Sequence, residues 1–151
     1  MAHFAKISED NIVLTVVYIE DKYLLDENGQ ESESIGQQYL QQHNNWPAHL
    51  WIKTSYGTYS NRHAEEKEGK TPYRGNYARI GWKWYSEHNA FLNQKPFTSW
   101  VYNSTNVSWE SPIGNPPPLT QEQLDETIAN GDPVYRHDWN ESTQTWDLVR
   151  I

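Results

Sequence analysis

The sequence predicts a mainly β fold with short helices (α+β): β-hairpins forming an antiparallel sheet or small sandwich, with an extended Pro-rich arm. Three observations carry this. Aromatic residues recur seven apart across polar turns in three places. A β-branched run of strand length lies near the N-terminus. The apolar content is largely aromatic, with 8 Trp and 10 Tyr against 3 Phe and 1 Met. Trp and Tyr favour strands and half-buried sheet faces. The expected organisation is a β-rich domain over 1–111, then a Pro-rich spacer, short helix and C-terminal hairpin over 112–151.

Phe4-Ala5-Lys6-Ile7, the turn-rich Ser8-Glu9-Asp10-Asn11 and the run Ile12–Ile19 read as a first hairpin. The near-continuous apolar character of 12–19 predicts a central strand covered on both faces. Tyr23-Leu24-Leu25 is placed to extend the pairing, and Asp26-Glu27-Asn28-Gly29 ends it, Asn-Gly being a strong turn dipeptide. A short helix is expected over 34–42, where Ile35, Tyr39 and Leu40 make one apolar face. Asn44-Asn45 stops it, and Pro47 marks a boundary at Trp46. Leu50–Tyr56 reads as a further strand. Residues 57–74, with the charged stretch from Arg62 to Lys70, read as an exposed loop or short surface helix.

The second half repeats one local pattern. Trp84 and Phe91, Tyr102 and Trp109, and Trp139 and Trp146 are each separated by six mostly polar residues. A loop at 86–89 pairs Tyr85 with Ala90 and Trp84 with Phe91. Directly opposed residues share one face, with Cβ atoms about 5 Å apart. Hairpins are therefore expected at about 82–93, 100–111 and 134–149. Trp84, Phe91, Trp100, Tyr102, Trp109, Trp139 and Trp146 are the candidate site residues. Two readings stand for them: a thin core, or an aromatic face for sugars or a protein neighbour. The glycosylation-type triplets at Asn103, Asn106 and Asn140 fall in the turns and read as turn sequences.

Three prolines at 116–118 favour a stiff polyproline II spacer. A helix follows. Thr120 is a good N-cap with Gln123 at the capping-box position, and Leu119 and Leu124 are spaced as a hydrophobic staple. Leu124 and Ile128 share a face, and Gly131 is a natural stop.

The function classes narrow quickly. With no cysteine, disulfides, thiolate nucleophiles and Cys-ligated zinc are excluded. The start of the chain shows no signal-peptide pattern, and no run is long enough for a membrane span. The expected compartment is cytosol-like. The net charge of -8 argues against a nucleic-acid partner. Residues 1–50 carry 2 basic and 8 acidic side chains, 51–100 carry 8 and 4, and 101–151 carry 2 and 8. These read as solvated surfaces, or as patches complementary to neighbouring subunits. The six histidines, His3, His43, His49, His63, His88 and His137, lack metal-ligand spacing. No phosphate loop, nucleophile elbow or dinucleotide fingerprint is present. No catalytic residue, metal or cofactor is expected, and no membrane contact. A glycosidase carboxylate pair would depend on geometry.

Met1-Ala2-His3-Phe4-Ala5-Lys6-Ile7 resembles the start of a family of small, Trp-rich virion structural proteins from tailed phages of aquatic bacteria, notably cyanophages. Similar stretches follow in order: Asp26-Glu27-Asn28-Gly29 with Glu31, Glu33, Ile35 and Gly36; Thr54-Ser55-Tyr56; Arg74-Gly75-Asn76-Tyr77-Ala78 with Ile80-Gly81; Lys95-Pro96-Phe97-Thr98-Ser99-Trp100; Trp109-Glu110-Ser111-Pro112; and Trp139-Asn140-Glu141 with Trp146. Residues 58–73 and 115–132 depart from the pattern as insertions. The resemblance implies a non-enzymatic particle component, present in many copies or as a homo-oligomer and assembled in the host cytoplasm into the virion. The leading expectation is a capsid decoration or cement protein that binds the major capsid protein or other virion subunits and bridges capsomers. The alternative is a tail, baseplate or fibre component, with a carbohydrate-binding aromatic surface.

Overall fold

The computed structural model of the chain describes residues 2–151. The chain divides into two compact units. The first takes the described residues up to Gln94 together with Asn103–Ser108, and the second takes Lys95–Tyr102 together with Trp109–Ile151. The division expected at 111/112 falls inside the second unit.

The first unit contains β1 (Ala2–Ile7), β2 (Val13–Ile19), α1 (Glu33–Asn44), β3 (Trp51–Thr54), β4 (Thr58–Tyr59), β5 (Arg62–His63), β6 (Lys83–Tyr85) and β7 (Ala90–Leu92). Its main sheet is antiparallel in the order β2-β1-β3. The 12–19 run is therefore an edge strand, with Leu14 and Tyr18 exposed. The strand covered on both faces is β1. An apolar run reports burial but not which neighbour pairs on each side, and only β1 has two.

Alternation along β1 sorts the core into two clusters. Ala2 and Phe4 pack with Ile19, Leu24, Leu40 and Trp51. Ala5 and Ile7 pack with Val13, Leu50, Ala78, Trp84 and Phe91. The first cluster lies under α1 and the second under the β6–β7 hairpin. Burying a side chain such as Phe4 or Ile7 contributes roughly 1.5–3 kcal/mol. Helix α1 comes closest to the sheet at Gly36, where an added Cβ would lie 2.6 Å from Phe4 Cζ. Its buried face is centred on Gly36 and Leu40, with Ile35 and Tyr39 half-buried. Ser32 caps its start, Oγ accepting from the Ile35 N–H, and Asn45 in the left-handed region ends it. Tyr23 closes a 3-10 turn rather than extending a strand, and Leu25 makes a single bridge to Glu31. In the 26–29 turn, Asp26 Oδ1 accepts from the Asn28 and Gln30 N–H groups at 2.8 Å.

The stretch read as a loop holds a tight hairpin. Tyr59 pairs with Arg62 across Ser60 and Asn61, whose φ values of 46° and 58° fit a type I′ turn. Thr58 and His63 are buried. The charged part does form a short surface helix, a 3-10 turn at Glu66–Glu68.

Asn76 joins three separate segments of this unit. Its Oδ1 accepts from the Ser60 N–H at 2.7 Å, and its Nδ2 donates to the Phe91 carbonyl at 2.9 Å and the Val107 carbonyl at 3.3 Å. Beside it, the Arg74 guanidinium makes a two-pronged pair with Glu33 at 2.7 and 2.9 Å and reaches the Lys53 carbonyl at 2.8 Å.

In chain order the remaining elements are β8 (Val101–Asn103), β9 (Ser108–Glu110), α2 (Gln121–Asp125), β10 (Tyr135–Asn140) and β11 (Thr145–Arg150). β8 and β9 form one hairpin and β10 and β11 another. The tip of the former, Asn103–Ser108, counts with the first unit. Thr120 and Gln123 make the expected capping box. The helix is nonetheless only one turn long. Glu126 is extended, Thr127 bridges Pro133, and the Ile128 carbonyl accepts from the Gly131 N–H. Ile128 thus leaves the face of Leu124, and Gly131 closes a turn instead of stopping a helix. The β-branched pair Thr127-Ile128 favours the extended backbone seen there.

Replacing Asn76 by Ala strands two buried carbonyls, at Phe91 and Val107, each costing about 1–3 kcal/mol when unsatisfied, and leaves the exposed Ser60 N–H to water. Asn76→Ala is expected to lose about 3 kcal/mol in urea unfolding, water entry offsetting part of the total. An unchanged midpoint and slope would remove Asn76 from this role.

Candidate functional site

All three expected hairpins form, and each places its aromatic pair across the turn. Trp84 lies opposite Phe91 and Tyr85 opposite Ala90. Ser86–His88 form a 3-10 turn closed by Asn89 in the left-handed region. The Trp84 and Phe91 rings stand 4.9 Å apart, and the two residues are 9% and 0% exposed. These two are core. Trp84 is not a platform for a sugar or a neighbour, because its hairpin packs on the main sheet.

The other five candidates lie in the second unit, and all are half-buried. Tyr102 and Trp109 meet edge-on at 6.0 Å. Burial pushes the Tyr102 phenol up from its ordinary value, and the Lys95 ammonium lies 5.6 Å from the Trp109 ring. Trp139 and Trp146 face each other in the β10–β11 register, with centroids 5.2 Å apart. Trp100 closes a triangle, edge-on at 6.1 Å to Trp139 and 6.0 Å to Trp146. Phe97 packs on Trp100 at 5.6 Å. Edge-to-face pairs contribute about 0.5–1.5 kcal/mol each beyond area burial.

The polar atoms of this cluster are mostly accounted for. Trp146 Nε1 donates to the Gly114 carbonyl at 2.9 Å. Trp139 Nε1 donates to Glu141 Oε2 at 2.7 Å. The same carboxylate accepts from Ser99 twice, from the backbone N–H at 2.9 Å and from Oγ at 2.7 Å. Glu141 thus clamps the 97–100 segment to the hairpin turn. Trp100 Nε1 is buried without a hydrogen-bond partner. A stranded donor costs about 1–3 kcal/mol, so ring packing must outweigh it. Among the described residues of this unit, only Ser111 and Val134 are buried. Phe97, Val101, Ile113, Leu124, Ile128, Leu148 and Ile151 are exposed.

A second feature escaped the sequence reading. The first unit has a cleft of about 460 Å³ between its N-terminal strand and the 53–73 stretch. Its lining includes His3, Glu31, Lys53, Tyr56, His63, Glu65, Lys70 and Tyr73. No spacing in the chain announces it, because its walls come from four separate stretches. The one visible signal is Thr54-Ser55-Tyr56, where a strand runs straight into a tyrosine and a glycine. Among the described residues, no group of three or more His, Asp or Glu side chains is placed to hold a metal ion.

Glu141 supplies a pH test of the tryptophan cluster. Its carboxyl is held below the usual 4.5 first by the Trp139 N–H and then by Ser99. A depressed folded value stabilises the fold above the unfolded value, and this is lost as pH falls through the folded one. Wild type should therefore melt above Glu141→Gln at neutral pH, with the two curves converging on acidification, as read by tryptophan fluorescence. A gap constant with pH would place the effect outside this carboxylate.

Compared with known proteins, the chain matches no protein-family model, no curated protein and no solved structure.

Proposed function

We propose that the protein is a non-enzymatic structural component of a phage particle, most directly a capsid decoration or cement protein. Its second unit is the part that seats on neighbouring subunits. One observation carries the binding role: this unit holds a tryptophan cluster with almost no buried core of its own. Two-stranded ribbons are marginal alone, and a unit with half-buried Trp whose other large apolar side chains are mostly exposed has the composition of an interface core. The assignment to a virion rests on the sequence resemblance described above.

The unit carries three basic and eight acidic side chains, so the partner surface it fits has a basic rim. On this reading the mechanism is bridging: aromatic area is buried across capsomer boundaries and adds to the cost of pulling them apart. A tail, baseplate or fibre position is the alternative. In purified particles of the encoding phage, quantitative mass spectrometry is expected to find this chain in copy numbers near those of the major capsid protein. A handful of copies moves it to the tail, and absence from washed particles overturns the virion role.

A further inference from the structure

The cleft of the first unit has a composition that selects its ligand. One wall is the Tyr56 ring, 71% exposed. Exposed tyrosines are ordinarily free to rotate, but this one is held from two sides. It stacks on the His3 ring at 5.8 Å and 24°, and meets the Tyr77 ring edge-on at 5.4 Å and 83°. His3 and Tyr77 also meet edge-on at 5.7 Å, so the three rings fix one another. The backbone presents the ring on a tight turn, with the Thr58 N–H donating to the Ser55 carbonyl at 3.2 Å. Gly57, at φ 90°, takes the position of that turn which requires a positive φ.

The rest of the lining is polar and balanced. Lys53 pairs with Glu31, and Lys70 pairs with Glu65. Each cation already faces a carboxylate, so the cleft offers no net charge to a phosphate. Each pair instead sets a donor beside an acceptor. His63 is buried, and its Nδ1 accepts from the Glu65 N–H at 3.0 Å, so the neutral ring carries its proton on Nε2. The Tyr73 phenol, which burial pushes up from its ordinary value, adds a neutral hydroxyl.

A ligand matching these walls is neutral, has one apolar face, and carries edge groups that both donate and accept. A pyranose ring meets all three conditions: its axial C–H face stacks on an aromatic ring, and its vicinal hydroxyls span donor–acceptor pairs. A nucleobase shares the flat face but arrives on a phosphate backbone, which a chain of net charge -8 repels. We propose that this cleft binds a sugar unit of a neutral saccharide, with Tyr56 as the stacking platform. The volume, about 460 Å³, lies within the ordinary range for small-ligand clefts. The proposal rests on the first unit alone and does not depend on where the protein sits in a particle.

The test uses the full recombinant chain on an array of neutral and acidic oligosaccharides, followed by titration calorimetry with the strongest neutral binder. Tyr56→Ala is expected to weaken binding about tenfold, the equivalent of one lost aromatic contact, while the chain stays folded with only a small fall in melting temperature from the lost His3 and Tyr77 contacts. Glu65→Gln is expected to weaken it as well. Tyr59→Ala, another exposed tyrosine but outside the cleft, is expected to leave binding unchanged. No neutral glycan above background, binding undiminished in Tyr56→Ala, or displacement of the sugar by a single-stranded oligonucleotide would each overturn the proposal. None of these results bears on the copy number that tests the virion role.

Discussion

The first unit is organised by the side-chain amide of Asn76. A carboxamide has two donor hydrogens and one acceptor oxygen, and here both ends are used by backbone groups far apart in sequence, at Ser60, Phe91 and Val107. A side chain of this length needs both an acceptor and two donors to serve all three. Aspartate would set a carboxylate against two carbonyls, and leucine would leave all three groups unpaired. The neighbours are equally constrained. An added Cβ at Gly75 would lie 2.6 Å from Val107 Cγ1, and Val107 itself has φ 51°. A β-branched residue in that region is strained, at a cost of order 1–3 kcal/mol that surrounding contacts must offset. The Asn76 bond and the burial of the valine offset it. One amide therefore fixes the 58–61 hairpin, the β6–β7 hairpin and the 103–108 tip together.

The same stretch carries the sheet and the cleft. Arg74 ties the start of α1 to β3 through Glu33 and the Lys53 carbonyl. The Tyr77 N–H donates to the Thr58 carbonyl, and its ring buttresses His3 and Tyr56. The Ala78 N–H donates to Thr54 Oγ1 at 2.9 Å. The platform tyrosine of the cleft is thus held by the strand-free segment that also closes the core. Preorganisation of this kind lowers the ordering cost of binding.

What could be read in the sequence was what is local. An aromatic pair seven apart across a four-residue loop must share a face, because strand side chains alternate, and all three pairs do so. The capping box at Thr120 and the Asn-Gly turn at 28–29 are likewise set by adjacent residues. What could not be read depends on distant partners. The Trp84–Phe91 and Trp139–Trp146 hairpins are nearly the same local object. One is core and the other half-exposed, because the first packs on a three-stranded sheet. Nothing in the spacing records that difference. The central place of β1 was hidden by its composition, two alanines and a histidine among six residues, while its apolar neighbour β2 lies at the edge. The 58–63 hairpin was hidden because Ser60-Asn61 reach the left-handed region without a glycine.

The two units solve the stability problem differently, and the difference bears on function. The first buries large side chains on both faces of its sheet. The second relies on rings that are each partly in water, on one carboxylate clamp, and on a ribbon with two unpaired edges. Ring pairs at about 0.5–1.5 kcal/mol each are a small contribution, and a two-stranded ribbon is marginal by itself. A partner that covers the cluster then contributes twice. It removes remaining indole and apolar surface from water, and it finds the rings already oriented by Glu141, Gly114 and one another. Side chains held before contact lose little further freedom on binding. On the proposed role, the weakness of the unit as a domain and its fitness as a contact surface have one cause: tryptophans too few to enclose each other, but enough to fix each other's orientation.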